Sequence, residues 1–275
     1  MSLNRTYPAD IIELFASQWR NRQLILQLTK REVLGRYRGS VMGLAWSFFN
    51  PLVMLAVYTF VFSVVFKARW STGGDDKINV ALVLFAGLIV YGIFAECLNR
   101  APGLVVSNAN YVKKVVFPLE ILPSVALGSA IFHATVSLLV LLSAQLLIYQ
   151  RCPWTVILFP LVLIPLLFAT NGFAWLLSAL GVYLRDVSQT TAILTTVLMF
   201  TSPIFYPLTS LPERYRLWLQ LNPLTFLIEE SRNSLIFGKA PDFTSLGISL
   251  MGSLLIAFGG FWWFQKTRKG FADVL

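Results

Sequence analysis

Charge is scarce in this sequence. Only 13% of its 275 residues are Asp, Glu, Lys or Arg, while 56% are hydrophobic, and so little polar surface cannot clothe a soluble globule of that length. There is one histidine, His133, and there are two cysteines, Cys97 and Cys152. That excludes a disulfide framework and leaves no His/Cys cluster for a metal. No Gly-x-x-x-x-Gly-Lys-Ser/Thr phosphate loop occurs, so any ATP that drives this chain must be bound by another polypeptide. Internal repeats and low-complexity segments are missing as well. The first long apolar stretch begins only at Val41, after a charged segment that includes Trp19, which is the wrong pattern for a cleaved signal peptide.

What the chain does have is apolar length. Six stretches, Val41–Phe66, Val80–Ala95, Leu119–Tyr149, Trp154–Leu184, Thr190–Tyr206 and Leu246–Phe264, are separated by short polar segments. About 20 apolar residues make a helix that crosses the hydrocarbon core, and lipid tolerates only helices or closed barrels because backbone groups must be satisfied internally. The expected fold is therefore an all-α membrane protein with six transmembrane helices. Basic residues give its orientation. Arg5, Arg20, Arg22, Lys30, Arg31, Arg36, Arg38, Arg100, Lys113, Lys114, Arg185, Lys266, Arg268 and Lys269 fall on one side of such a map. The smaller set Lys67, Arg69, Lys77, Arg151, Arg214, Arg216, Arg232 and Lys239 falls on the other. The positive-inside rule then makes both termini cytoplasmic, and the formal charge of +9 reports topology rather than a nucleic-acid partner. Cys97 and Cys152 lie at opposite faces on this map, too far apart to pair.

Residues 1–40 read as a cytoplasmic amphipathic interface helix and a basic elbow, and 41–275 as the membrane domain. Asp10 is placed as N-cap with Glu13 in capping-box position. Ile11, Phe15 and Trp19 recur on one face, as in a helix lying in the headgroup plane; a packing helix is the alternative. The loop 99–118 is too long for a turn, and Asn108–Val116 predicts a short helix across the cytoplasmic face, with headgroup anchoring as the alternative. Pro160 and Pro165 predict a bend in the fourth span, which ends in the charged turn Arg185-Asp186. In 203–238, prolines interrupt the chain. Leu217–Leu221 and Leu224–Phe237, split by Asn222-Pro223, predict outer re-entrant helices, which lipid allows only against protein or water.

Few residues are equipped for chemistry, and no catalytic constellation is visible. His133 sits inside the third span with only hydroxyls nearby in sequence, which favours packing or an interhelical hydrogen bond over a proton relay. Glu229, Glu230 and Arg232 form the densest polar cluster on the outer pieces and suit an outer gate or lining, with a structural ion pair as the alternative. Aromatic residues are the larger signal. Trp46, Phe48, Phe49, Tyr58, Phe60 and Phe62 crowd the first span, and Phe200, Phe205 and Tyr206 crowd the end of the fifth. Such faces stack on the C–H surface of sugars without fixed register, so a polymer can slide along them, although lipid-facing aromatics are common.

The run Lys30-Arg31-Glu32, Arg36-Tyr37-Arg38-Gly39-Ser40-Val41-Met42-Gly43-Leu44-Ala45-Trp46-Ser47 and Asn50-Pro51-Leu52 resembles the entry to the first span of type-2 ABC exporter permeases for lipid-linked polysaccharides. Asn110, Lys113-Lys114, Phe117-Pro118, Arg185-Asp186, Ser202-Pro203-Ile204-Phe205-Tyr206-Pro207 and Leu221-Asn222-Pro223 continue that resemblance in the same order over nearly the whole chain. It is most similar to the O-antigen exporter permeases of the Gram-negative inner membrane; teichoic-acid and capsule permeases are close relatives.

The resemblance implies a homodimer joined to two separately encoded ATP-binding subunits that hold ATP and Mg, with no cofactor in this chain. It implies a channel at the dimer interface, lined largely by the first and fifth spans, for an undecaprenyl-diphosphate-linked glycan. The aromatic argument then expects Trp46, Phe49, Tyr58, Phe62, Phe200 and Tyr206 along it, with Tyr58 and Tyr206 foremost because a phenol offers both a stacking face and a hydroxyl. Arg36 and Arg38 would contact the diphosphate, guanidinium being bidentate for phosphate, unless they only anchor the elbow. Asn110, Tyr111, Lys113, Lys114 and Arg185 would couple to the ATPase, and Glu229, Glu230 and Arg232 would belong to the outer gate. Two readings compete: a membrane-embedded glycosyl or acyl transferase, which lacks a catalytic constellation here, and an ion-coupled transporter, which needs charges within its spans.

Overall fold

The structure, a computed structural model, describes residues 10–67, 70, 79–113, 117–220 and 222–275. The side chains of Lys113, Leu217 and Gln220 are outside that description. So are Arg5, Arg69, Lys77, Lys114 and Leu221, on which some sequence expectations fell. The described residues are helical with no strand. In chain order the helices are α1 (Ile11–Arg20), α2 (Arg22–Arg36), α3 (Trp46–Tyr58), α4 (Val80–Arg100), α5 (Gly103–Val106), α6 (Ala109–Lys113), α7 (Leu122–Tyr149), α8 (Phe159–Tyr183), α9 (Val187–Thr201), α10 (Glu213–Gln220), α11 (Pro223–Leu235), α12 (Phe243–Thr267) and α13 (Phe271–Val274).

Five stretches are long and apolar enough to cross a bilayer: Gly43–Val65, Val80–Gly103, Leu119–Tyr149, Trp154–Tyr183 and Phe243–Val274. The fifth expected span, Thr190–Tyr206, is helical only through α9, which has 15 residues. At 1.5 Å per residue that is about 22 Å, short of the ~30 Å hydrocarbon core. Its chain breaks at Ser202-Pro203, because proline donates no hydrogen bond and biases the preceding residue toward extended backbone; Ser202 is extended, at ψ 150°.

Local chemistry fixes several helix starts. The side-chain oxygens of Asn79, Asn222 and Asp242 accept the N–H groups of Ala81, Leu224 and Thr244, each at 3.0 Å, to open α4, α11 and α12. The capping box expected at Asp10 does not form. Asp10 makes no side-chain cap bond, and Glu13 instead accepts from Arg20 Nη2 at 2.6 Å, a charge-assisted bond that outcompetes a neutral backbone donor. Pro160 is no kink either: it occupies the first turn of α8, where its missing N–H would have had no partner anyway. The expected elbow is also shorter, since α2 stays helical to Arg36 and only residues 37–42 turn.

α4 is the centre of the bundle. It packs on α7, α8, α9 and α11, while α8 and α12 form the most extensive helix pair. That pair approaches closely: a Cβ on Gly260 would lie 2.0 Å from the carbonyl oxygen of Gly172. Trp175, Phe261, Phe264 and Phe271 fill the core beside it. α3 is different. It contains Pro51 and runs into a π-helical turn at Thr59–Val65, and most of its side chains lie on the outside of the subunit.

Candidate functional site

The second helix does not stop where its apolar run stops. α4 continues five residues past Ala95, so Glu96 and Arg100 stand one turn apart and face α2 and α7. Arg36, in the last turn of α2, donates from Nη1 to Glu96 Oε1 at 2.6 Å. His133 of α7 brings Nδ1 to 3.1 Å from both carboxylate oxygens, and its Nε2 is 3.3 Å from the Tyr37 hydroxyl. The same Nδ1 lies 3.1 Å from Arg36 Nη1, so the histidine, the arginine and the carboxylate meet at one point. Burial pushes the Tyr37 phenol above its ordinary value, only partly opposed by the Arg36 charge. Arg100 completes the cluster, 3.8 Å from Glu96 and ion-paired with Glu32 of α2. In the sequence the apolar run ends at Ala95 and only hydroxyls stand near His133. The missed signal was the i,i+4 pair Glu96/Arg100, which one more helical turn aligns.

Above this cluster lies an open cavity of about 670 Å³, bounded by the end of α2 and by α3, α4 and α7. Trp46, Asn50, Tyr58, Glu96 and His133 line it. Tyr91 closes one side and donates its hydroxyl to the Thr195 carbonyl at 2.7 Å, which ties α9 to α4. Of the expected path residues, Trp46 and Tyr58 reach this cavity. An aromatic chain then leads away: Tyr58 to Phe62 at 6.5 Å between centroids, Phe62 stacked on Phe205 at 6.3 Å, and Phe205 on Phe200 at 5.9 Å. The Tyr206 hydroxyl donates to the Phe200 carbonyl at 3.0 Å. The structure thus joins aromatics of the first span to those after α9, through Phe205. Phe49 is exposed and stands apart from them.

Of the two elbow arginines, Arg36 is neutralised by Glu96, whereas Arg38 is exposed and has no ion pair among the described residues. On the expected coupling loop, α6 ends at Lys113. Its Tyr111 stacks on Phe117 at 4.4 Å and accepts from Arg31 Nη2 at 3.1 Å, a hydrogen bond that links α6 to α2. Asn110 is exposed on α6. Arg185 is exposed in the turn between α8 and α9 and makes no hydrogen bond to α6 among the described residues.

Arg232 faces inward. It is 2% exposed and donates to the carbonyls of Val83 at 3.0 Å, Pro203 at 2.5 Å and Ile204 at 2.7 Å, with its guanidinium over the Trp70 ring. Gly87 makes room for it, since a Cβ there would lie 2.9 Å from Arg232 Nη2. Glu230 accepts from Asn233 and from the Asp242 N–H, both at 3.3 Å. Glu229 is half-buried, and that burial raises its carboxyl above the ordinary range, with Arg232 pulling back.

A buried charge pair that no local sequence pattern signals lies at the start of α7. Glu120, just ahead of α7, pairs with Arg268 and accepts from Ser17 of α1 at 2.9 Å. Arg268 also donates to the Phe117 carbonyl at 2.7 Å, and Trp175 Nε1 donates to the Glu120 carbonyl at 2.8 Å. This knot binds α1, the start of α7, α8 and the end of α12. Among the described residues no group of His, Cys, Asp and Glu is arranged to hold a metal ion.

Comparison with known proteins bears on what this geometry serves. Residues 23–236 match the family model for the ABC-2 type transporter. The chain is 27% identical over 265 residues to the O-antigen export system permease protein RfbA of Myxococcus xanthus, which covers 96% of this chain and 99% of that protein. Its identity to the protein of the same name from Klebsiella pneumoniae is 25% over 259 residues, 92% and 95% of the two chains. To the polysialic acid transport protein KpsM of Escherichia coli it is 25% over 237 residues, 84% and 88%.

Proposed function

The chain belongs to the ABC-2 type transporter family, and from that premise we propose that it is the membrane-embedded permease of an ATP-driven exporter of lipid-linked polysaccharide, of the O-antigen kind. It works as a homodimer with two separate ATP-binding subunits in the bacterial inner membrane. It has six spans, α9 being the short fifth, and both termini in the cytoplasm. It is not itself an enzyme. The observation that carries this reading is the bare first span: in its most apolar stretch 6% of residues are buried within the subunit. Trp46, Phe48, Phe49 and Phe60 lie exposed on that face, and Tyr58 and Phe62, partly buried beside it, carry the aromatic chain to Phe205 and Phe200.

Two such faces across a two-fold axis make a passage in which sugar rings stack on aromatic side chains without a fixed register. Of the two arginines expected at the carrier diphosphate, Arg38 meets it at the cytoplasmic mouth, because Arg36 is already paired with Glu96. α5 and α6 take the thrust of the ATPase, with Asn110, Tyr111, Lys113, Lys114 and Arg185 on or beside that face. α10 and α11 close the outer end as re-entrant gate helices, held by Arg232, with Glu229 and Glu230 toward the opening.

The test is reconstitution. Purified chain should show background ATP hydrolysis, and export of the glycan in vesicles should need the partner and its phosphate-loop lysine. Charge reversal at Lys113 and Lys114 should uncouple hydrolysis from export while leaving insertion intact. Glycan turnover by the chain alone, or transport driven by an ion gradient, would overturn the reading. The similarity to KpsM makes a capsular glycan the second candidate cargo, distinguished by which glycan is exported.

A further inference from the structure

The cavity between the end of α2, α3, α4 and α7 has a chemistry that the diphosphate does not explain. Its charges cancel internally: Arg36 on Glu96, and Arg100 between Glu96 and Glu32. Both ring nitrogens of His133 are engaged as well, Nδ1 at 3.1 Å from that carboxylate and from Arg36 Nη1, and Nε2 at 3.3 Å from the Tyr37 hydroxyl. A bare anion finds no surplus cation inside, and a cation finds no unpaired carboxylate. What the cavity does offer is uncommitted hydrogen bonding. The Trp46 indole N–H, the Asn50 carboxamide and the Tyr58 hydroxyl line it and make no side-chain hydrogen bond among the described residues. Two of those three groups sit on aromatic rings. Neutral, rich in donors and acceptors, and walled by aromatic faces is the description of a carbohydrate site. A volume of about 670 Å³ falls within the ~300–1,000 Å³ of small-ligand pockets, enough for one or two sugar rings and not for a bulky chain.

We infer that this cavity is a sugar-reading subsite that receives the ring attached directly to the carrier diphosphate. The inference rests on the exporter reading and adds specificity to it. Ser40 lines the cavity and Arg38 precedes it by two residues, exposed and without an ion pair among the described residues. A diphosphate held at Arg38 therefore leaves the first sugar at the cavity mouth. There Asn50 and Tyr58 bond its hydroxyls, Trp46 covers its C–H face, and the Arg36–Glu96 pair presents a donor and an acceptor side by side to vicinal hydroxyls. Glu96 is the positioning residue of the set. It keeps Arg36 from acting as a phosphate trap inside a pocket meant for a neutral ring.

The test uses the full-length permease with its ATPase partner in nanodiscs, and two probes: farnesyl diphosphate, and the same lipid carrying one hexose on the diphosphate. Wild type should bind the glycosylated probe about tenfold more tightly, the scale of one or two satisfied hydrogen bonds. Asn50→Ala and Tyr58→Phe should erase that preference while leaving the affinity for farnesyl diphosphate unchanged. Arg38→Ala should weaken both probes equally. Glu96→Gln should shift the preference toward the unglycosylated lipid, since it frees the charge of Arg36. Equal binding of the two probes by wild type, in a complex that still exports glycan, overturns the subsite and leaves the exporter intact. So does a loss of affinity for both probes in Asn50→Ala. If neither probe binds and no glycan is exported, the exporter reading itself has failed.

Discussion

The first and second membrane helices are nearly equal in hydropathy and opposite in fate. In the most apolar part of Val80–Gly103, 83% of residues are buried within the subunit; in that of Gly43–Val65, 6% are. Lipid tails are as apolar as leucine, so hydropathy brings both helices into the bilayer but does not decide which is enclosed. Packing decides. α4 is lined with residues such as Ala81, Ala86 and Gly87, which let neighbours approach, and Gly87 admits a whole guanidinium. The first span carries Trp46, Phe48, Phe49, Phe60 and Phe66, all exposed. One helix holds the subunit together, and the other is a surface that the subunit leaves for something else.

The largest effect should come from the enclosed side. Arg232→Ala leaves the carbonyls of Pro203 and Ile204 without a donor and removes the second donor of Val83 in α4, at about 1–3 kcal/mol for each buried group left unpaired. Little folded permease should survive detergent extraction, as size-exclusion chromatography would show. Normal yield and melting temperature would break the contrast at its strongest point. Next is Gly260→Ala, whose methyl meets the Gly172 carbonyl. It should destabilise the protein by about 1–3 kcal/mol, as overpacking does, while Gly259→Ala, with open space around it, should be neutral or better in the same melting experiment.

Smaller still, for the fold, are truncations on the bare span. Phe60→Ala and Phe48→Ala should shift subunit stability by no more than about 0.5 kcal/mol, yet lower dimer yield or export. Tyr58→Ala and Tyr206→Ala should slow glycan export without preventing dimer assembly. Melting shifts as large as those of the α4 side would erase the distinction. The smallest expected effect is a pH dependence at α11. Burial raises the Glu229 and Glu230 carboxyls above their usual 4.5, so the folded state holds their protons more tightly than the unfolded chain does. Their stabilising contribution is full below about pH 4.5 and is lost as pH rises through the raised values. Glu229→Gln with Glu230→Gln should flatten thermal stability across that window.

Much of the architecture was legible because period and length are written in the residues. Five of six spans emerged as long apolar helices, and Asn222-Pro223 opened α11 as a cap and first-turn proline should. Interiors were harder to read. Glu96 lies one residue beyond an apolar run, and its partners Arg36 and His133 are 60 and 37 residues away, a distance no local pattern bridges. Arg232 read as part of an outer polar cluster because sequence shows charge but not direction, and three distant carbonyls turned it inward. At Asp10 the local capping rule lost to a side chain two turns on, Arg20.

The Glu120 knot has a consequence in time as well as in space. Arg268 is made 148 residues after Glu120, and Ser17 103 residues before it. A growing chain therefore delivers the carboxylate to the membrane long before its cation exists, and α1 has no ion pair to settle on until α12 has emerged. An unpaired carboxylate resists burial, so that end of the bundle can close only when the last helix has arrived, and the face beside α6 is the last part of the subunit to be finished.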